Sequence, residues 1–326
     1  MKVFECSFSE QEIESLKPVI KNGELGFGSN VTKFEEKFAA LSKKKYNIAT
    51  NSASASAFAI FHYLKEVYGP CDVYTPSLGF TSPAWAAKHH GHRIVWVDVD
   101  DNLLFDLEDY RRKRQNCCER YSDAGVKPVL MPILYGGVSN IKGFDSIKLD
   151  GYREIVVVDS AHCVTPTIDS DFTFFSFHPY KPITASDGGM ISVDCAEAAD
   201  WFNNYRNFGR CNNLGTYDII QEGFKFYMNN LNASIALLSL SKHDELLQIR
   251  KNNYNKLNNV LPQDDFSSYY FATRLDDNAN QFNTKNGLAR HYPLLHHSKY
   301  FKDGCVLPNT ERLYNKIINL PLWQLL

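Results

Sequence analysis

Two side chains near the middle of the chain carry chemistry that neither could perform alone: the carboxylate of Asp159 and the amine of Lys181. Asp159 closes the apolar run Ile155-Val156-Val157-Val158. Lys181 ends the stretch Ser176-Phe177-His178-Pro179-Tyr180-Lys181, shortly ahead of Asp187-Gly188-Gly189. Four consecutive β-branched residues read as a strand buried on both faces, as in a parallel sheet, and ligands in open α/β sheets bind beyond the carboxyl ends of such strands. A second strand over Phe172–Ser176 brings Ser176 and Lys181 to the same rim. An amine and a carboxylate converging there suit pyridoxal phosphate. The amine forms a Schiff base, and the carboxylate keeps the pyridinium nitrogen protonated so that the ring can accept carbanion electrons. Taken singly, each residue has a plainer use, since aspartates cap helices and turns and most lysines are solvated surface charges.

The elements that must hold these residues follow from patterning. Short apolar runs alternate with amphipathic stretches from Tyr46 to Val193, which predicts repeated βα units and a mostly parallel sheet. Strands are expected at Tyr46–Thr50, Asp72–Thr75, Arg93–Val97, Pro128–Ile133, Ile155–Asp159, Phe172–Ser176 and Met190–Val193. Helices are expected at Ala53–Val67, Ser82–His89 and Asp106–Gln115. Seven strands imply one large domain. Beyond Ala196 a helix to Tyr205 is expected, then an irregular loop to Glu222 and a long helix from Met228 to about Asn255 that could bridge two domains. A strand at Tyr269–Leu275 belongs to a smaller second domain. The division is placed at 1–240 and 241–326.

Two further strand-to-helix turns fall on the same rim. Asn51-Ser52-Ala53-Ser54-Ala55-Ser56 offers hydroxyls and backbone N–H groups at a helix start, where the helix dipole favours a phosphate, although serine-rich starts are commonly caps alone. In Thr75-Pro76-Ser77-Leu78-Gly79-Phe80, the Phe80 ring could lie against a planar cofactor; an isolated Phe is more often core.

Composition is that of an ordinary globular protein: 326 residues, 44% hydrophobic and 22% charged. A net charge of −2 gives no field to recruit nucleic acid or an anionic membrane, and Arg111-Arg112-Lys113-Arg114 reads as a solvated helix face. No apolar stretch approaches a membrane span, and the first residues lack a signal-peptide core, so a cytoplasmic protein is expected. The eight cysteines show no paired C-x-x-C spacing for zinc, and His89-His90-x-His92 lacks further ligands. No metal is expected.

In order, Asn51-Ser52-Ala53-Ser54-Ala55, Pro76-Ser77-x-x-Phe80, Gly91-x-x-Ile94-Val95-Trp96-Val97-Asp98, Leu134-Tyr135-Gly136, Val158-Asp159-Ser160-Ala161-His162 and Ser176-Phe177-His178-Pro179-Tyr180-Lys181 make up a series. Arg206-Asn207-Phe208-Gly209, Gly223-Phe224-Lys225-Phe226-Tyr227-Met228-Asn229, His291-Tyr292-Pro293 and Leu320-Pro321-Leu322 continue it. The whole series resembles the DegT-type (StrS-like) sugar aminotransferase family. The resemblance implies a fold type I, aspartate aminotransferase-like α/β enzyme that uses pyridoxal 5'-phosphate. It also implies a homodimer with active sites at the subunit interface, acting on nucleotide-linked keto-deoxysugars with glutamate as the usual donor. By position it makes Lys181 the Schiff-base lysine, Asp159 the pyridinium partner and His162 a residue beside the ring. Phe80 becomes the stacking aromatic, and Ser54, Ala55 and Ser176 the phosphate contacts.

The chain also departs from the family. Asn51-Ser52-Ala53-Ser54 stands for the usual N-S-G-T, and Ser186-Asp187-Gly188-Gly189 for Gly-Glu-Gly-Gly. The interval from Asp159 to Lys181 is several residues shorter than usual, which alters the expected sugar site. Lys225 replaces an asparagine that in relatives reaches the partner subunit's phosphate; a lysine neutralises charge without the same fixed geometry. The chain ends soon after Leu320-Pro321-Leu322, so a trimmed small domain is expected. Relatives in which histidine replaces the lysine are dehydratases, and retention of Lys181 points away from them. His162 instead of glutamine is compatible with 4-amination or with no part in regiochemistry. Two alternatives stay open: a non-catalytic homologue that binds cofactor or sugar nucleotide, and an aminotransferase acting on a non-sugar ketone such as a cyclitol.

Overall fold

The computed structural model describes residues 9–121, 126–147, 154–213, 216–279 and 292–323. His291 of the C-terminal motif lies outside them. Helix α1 (Glu10–Asn22) starts at a capping box in which Ser9 and Glu12 satisfy each other's backbone, and α2 (Ser29–Ser42) follows. Next come β1 (Tyr46–Thr50), α3 (Ala53–Tyr68), β2 (Cys71–Pro76), α4 (Thr81–His89), β3 (Arg93–Val97), α5 (Leu107–Tyr121), β4 (Lys127–Leu130), β5 (Ile155–Asp159), β6 (Phe172–Ser176), β7 (Gly189–Val193) and α6 (Ala196–Tyr205). The strands form one seven-stranded sheet in the order β1-β7-β6-β5-β4-β2-β3. It is mostly parallel, as expected, with β7 antiparallel to both β1 and β6.

Helix α3 shows why the strand ends become a site. Its Ala57, Ile60, Phe61 and Leu64 are fully buried and recur at helical spacing, packing in one cluster with Ile48, Val73, Phe174 and Ile191 of the sheet. Only Asn51 and Ser52 separate β1 from α3, so the helix must begin at the carboxyl edge of its strand. Strand β7 starts against that same point. A Cβ on Gly189 would stand 2.5 Å from the Ser52 carbonyl carbon and oxygen, so only glycine permits this approach.

The second half departs from expectation in three places. The irregular loop before Glu222 contains a hairpin, β8 (Arg210–Asn213) with β9 (Thr216–Ile219). Every residue of β9 is exposed, so no buried face imprinted an alternation on the sequence. The single long helix is two, α7 (Asn230–Ser241) and α8 (His243–Asn255). Lys242 ends the first and caps the second, and its Nζ is held 2.8 Å from Glu12 of α1. Strand β10 (Phe271–Leu275) starts two residues late, because Tyr269 is left-handed at φ +47°, a conformation that costs an aromatic residue about 1–3 kcal/mol. After α9 (Pro308–Tyr314), β11 (Ile317–Pro321) pairs antiparallel with β10.

The C-terminal portion docks on the sheet's carboxyl rim at several points. Ser268 N–H donates to the Gly137 carbonyl (2.7 Å) and Tyr270 N–H to that of Gly136 (3.1 Å). Leu295 N–H donates to Ser77 (3.0 Å) beside a Leu78–Leu294 bridge, while the buried His296 ring meets the Ser77 hydroxyl at 2.7 Å. Among the described residues no helix is long and apolar enough to cross a membrane.

Candidate active site

Asp159 and Lys181 line one cavity of about 390 Å³ at the carboxyl ends of β5 and β6. Asp159 is locked from both sides. Its N–H donates to Pro132 (3.0 Å) and its carbonyl accepts from Leu134 (3.1 Å), while its Oδ1 accepts the Ala161 N–H (3.0 Å). The residue is 4% exposed. Burial pushes its carboxyl up to about 6, against the Ala161 hydrogen bond and the Lys181 charge, which both favour the carboxylate.

Lys181 follows β6 in a turn closed by its N–H on the His178 carbonyl (2.9 Å). The residue as a whole is half-buried. At the amine, burial dominates and pushes it down to about 7, with the Asp159 charge pulling the other way. A lysine in that state is a nucleophile and a general base near neutrality. The neighbouring His178 is lowered by burial first and by the Lys181 charge second.

Of the other residues expected at the site, His162, Phe80, Ser54 and Ser176 all line the cavity. His162 Nε2 lies 3.0 Å from the Tyr292 hydroxyl, with the two rings stacked. Phe80, at the start of α4, keeps 57% of its surface exposed and meets Tyr292 edge-on, leaving a ring face available. Ser176 Oγ accepts the His178 N–H at 3.4 Å. Two expected residues lie off the cavity wall. Ala55 is buried and its N–H donates to Ser52 Oγ (3.1 Å), so that donor serves the helix cap. Lys225 is exposed and lies over the Tyr227 ring.

The residues missed from sequence come mainly from the C-terminal portion. Tyr270 and Tyr292 both line the cavity, and burial holds both phenols well above their ordinary range. Tyr292 belongs to the His291-Tyr292-Pro293 motif, which assigns it no role by residue type alone, whereas the doublet Tyr269-Tyr270 before a strand gives no local sign of which ring turns inward. Asp187 also lines the wall, its Oδ1 accepting the Gly188 N–H at 2.9 Å.

The donor set fits pyridoxal 5'-phosphate: a desolvated amine and a carboxylate face one cavity, an aromatic ring lies open beside them, and serine hydroxyls sit at a helix N-terminus. With the sheet order, this defines a fold type I architecture with a pyridoxal-phosphate type of site. The family model for DegT/DnrJ/EryC1/StrS aminotransferases matches residues 7–326, and the chain belongs to that family of pyridoxal 5'-phosphate enzymes. It is 29% identical over 263 residues to the spore coat polysaccharide biosynthesis protein SpsC of Bacillus subtilis (strain 168). That match covers 74% of this chain and 64% of SpsC, so the chain spans less than two thirds of that relative's length. Among solved structures, Helicobacter pylori PseC, an aminotransferase involved in pseudoaminic acid biosynthesis, superposes with a TM-score of 0.84. It is 19% identical and covers 98% of this chain and 92% of its own. Spr1654 of Streptococcus pneumoniae in its PLP form gives a TM-score of 0.82 at 21% identity, covering 99% and 94%. At these identities the two structures speak for the fold alone.

Proposed function

We propose that the chain is an aminotransferase that converts a nucleotide-linked keto-deoxysugar to an amino sugar, with glutamate as the amino donor, in surface-glycan or related amino-sugar biosynthesis. The observation that carries this reading is the shared cavity of Lys181 and Asp159. Membership of a sugar aminotransferase family supports the substrate class. A cytoplasmic homodimer, and a division at residue 240 between a cofactor-binding unit and a smaller C-terminal unit, belong to the same proposal.

Bound here, the cofactor supplies an aldehyde for an amine and a ring that draws electrons from the adjoining carbon. Asp159 would hold the ring nitrogen, and the cationic ring would in turn favour its carboxylate form. Phe80 would cover one ring face, with His162 fixed beside the ring by Tyr292. The start of α3 and the hydroxyls of Ser54 and Ser176 would receive the phosphate, with Ala55 holding the helix start in shape through Ser52. Lys225, exposed and off this cavity, would serve the second copy's phosphate in the homodimer. Nζ of Lys181, neutral in part near pH 7, would take up the proton lost from the α-carbon of glutamate and hand it on within the same half-reaction, and would deliver a proton to the sugar carbon in the return half-reaction.

The test is spectroscopic. Purified full-length protein loaded with pyridoxal 5'-phosphate should be yellow and bleach on adding glutamate. The bleached form should then regain colour with a keto-sugar nucleotide and not with a cyclitol ketone. Lys181→Ala should lose the lysine-linked absorbance and turnover together; full transamination by that variant would end the proposal.

A further inference from the structure

The Lys181 amine has a neighbour besides Asp159: its Nζ lies over the face of the Tyr270 ring, 4.6 Å from the centroid. Tyr270 is 5% exposed and enters from the C-terminal portion. Several features fix its place. Tyr269 takes the left-handed backbone that turns the chain inward, and Tyr270 N–H is tied to Gly136. Gly137, at φ +99°, leaves room for it: a Cβ there would stand 2.9 Å from the Tyr270 nitrogen and 3.0 Å from the His162 carbonyl oxygen. The ring then packs on His162 at 4.7 Å. Strain and glycine are therefore concentrated where this one ring is delivered.

We propose that Tyr270 is a positioning residue whose ring face holds the Lys181 amine whenever it is not bonded to the cofactor, stabilising its protonated form and keeping it aimed at the reacting carbon. A cation over an aromatic face is attracted by the ring quadrupole, more strongly when desolvated. Burial keeps the phenol protonated, so the ring presents this face without a formal charge. Asp159 alone could favour the ammonium but would draw it toward the floor of the site; the ring holds it from the opposite unit of the chain. The titratable and charged groups around the amine are Asp159 from β5, His162 after it, His178 and Tyr180 in its own turn, Asp187 before β7, and Tyr292. Arg250 of α8 stands behind, its Nη1 3.4 Å from the Pro182 carbonyl and its charge felt at Tyr270. This inference rests on Lys181 being the reacting amine.

The experiment follows the amine in the cofactor-free full chain. Acylation of Lys181 is quantified by peptide mass spectrometry across pH, with exposed Lys302 as internal reference, in wild type, Tyr270→Phe and Tyr270→Leu. Losing the ring should lower the Lys181 midpoint by about one unit, a tenfold change, while Tyr270→Phe stays within a few tenths. If Tyr270→Leu does not fold, 3,4,5-trifluorophenylalanine at position 270 keeps the shape and weakens the quadrupole, and the midpoint should fall relative to Tyr270→Phe. Unchanged midpoints in the folded ring variants overturn the role of Tyr270 and leave the lysine assignment standing. A wild-type Lys181 that titrates like Lys302 and gives no absorbance with pyridoxal 5'-phosphate overturns both.

Discussion

Gly188 and Gly189, the second of which opens β7, offer a sharp test of how the proposed phosphate end of the cavity is built. A Cβ at 189 would lie 2.5 Å from the Ser52 carbonyl carbon and oxygen and 2.6 Å from the Ala53 nitrogen, all backbone atoms. Ordinary contact begins at 3.4 Å, so the start of β7 and the start of α3 would have to part by about 0.9 Å. At 188 the obstacle, also at 2.5 Å, is the terminal methyl of Met228, which can rotate away. Forcing a methyl into packed backbone costs about 1–3 kcal/mol, offset by about 0.4–1 kcal/mol because alanine restricts the unfolded chain. Gly189→Ala should therefore destabilise the cofactor-free protein by up to about 2.6 kcal/mol, and Gly188→Ala should come out near neutral. Displacing α3 by even one hydrogen bond to a phosphate oxygen is worth about 1.5–3 kcal/mol, or tenfold to hundredfold in pyridoxal 5'-phosphate affinity. Denaturation midpoints and an absorbance titration with the cofactor measure the two effects. Equal behaviour of the two variants, or wild-type affinity in Gly189→Ala, would refute the idea that α3 and β7 form the phosphate cradle.

Further outcomes follow from the buried charges. In the cofactor-free protein the folded Lys181 binds fewer protons than the unfolded chain between about 7 and 10.5, so stability should climb as pH rises through that window. The folded Asp159 binds more protons between 3.8 and about 6, so stability should fall as pH rises there. Asp159→Asn should erase the acid-side slope and extend the alkaline one to lower pH, because Lys181 loses the Asp159 charge that favours its protonated form; denaturation midpoints across pH in both proteins would expose an error of sign. Arg206, 5% exposed, pairs with Glu35 and donates to the Ala49 carbonyl (2.6 Å) and to Asn203 (2.7 Å), tying α2, β1 and α6 together. Arg206→Ala should cost about 3–5 kcal/mol by leaving Glu35 uncompensated, and the double variant with Glu35→Ala should cost less than the two single changes summed.

The central sheet was legible because each buried strand writes a short apolar run and each covering helix a 3.6-residue stripe, as Ile155–Asp159 and the Ala57, Ile60, Phe61, Leu64 face of α3 do. The meeting of Asp159, Lys181 and the serine-rich start of α3 in one cavity was legible too, since strand ends in such a sheet share one rim. Other features left no local mark. Strand β9 buries no residue, the break at Lys242 sits where that side chain pairs with Glu12 of α1, and α1 and α2 lie ahead of the βα pattern. Ala55 was expected at the phosphate of its own chain, yet it does not line the cavity.

By itself, then, the order of residues determined which strands form, which ends they present, and that an amine, a carboxylate and a serine-rich helix start meet there, because these depend on periodicity and chain direction alone. Only the tertiary structure decided what surrounds the amine. The desolvation that brings Lys181 into the neutral range, and the choice of Tyr270 and Tyr292 as walls, arise from contacts between segments about ninety and more residues apart along the chain. No local sequence pattern encodes them, because the free energy of burying a charge depends on everything that closes around it.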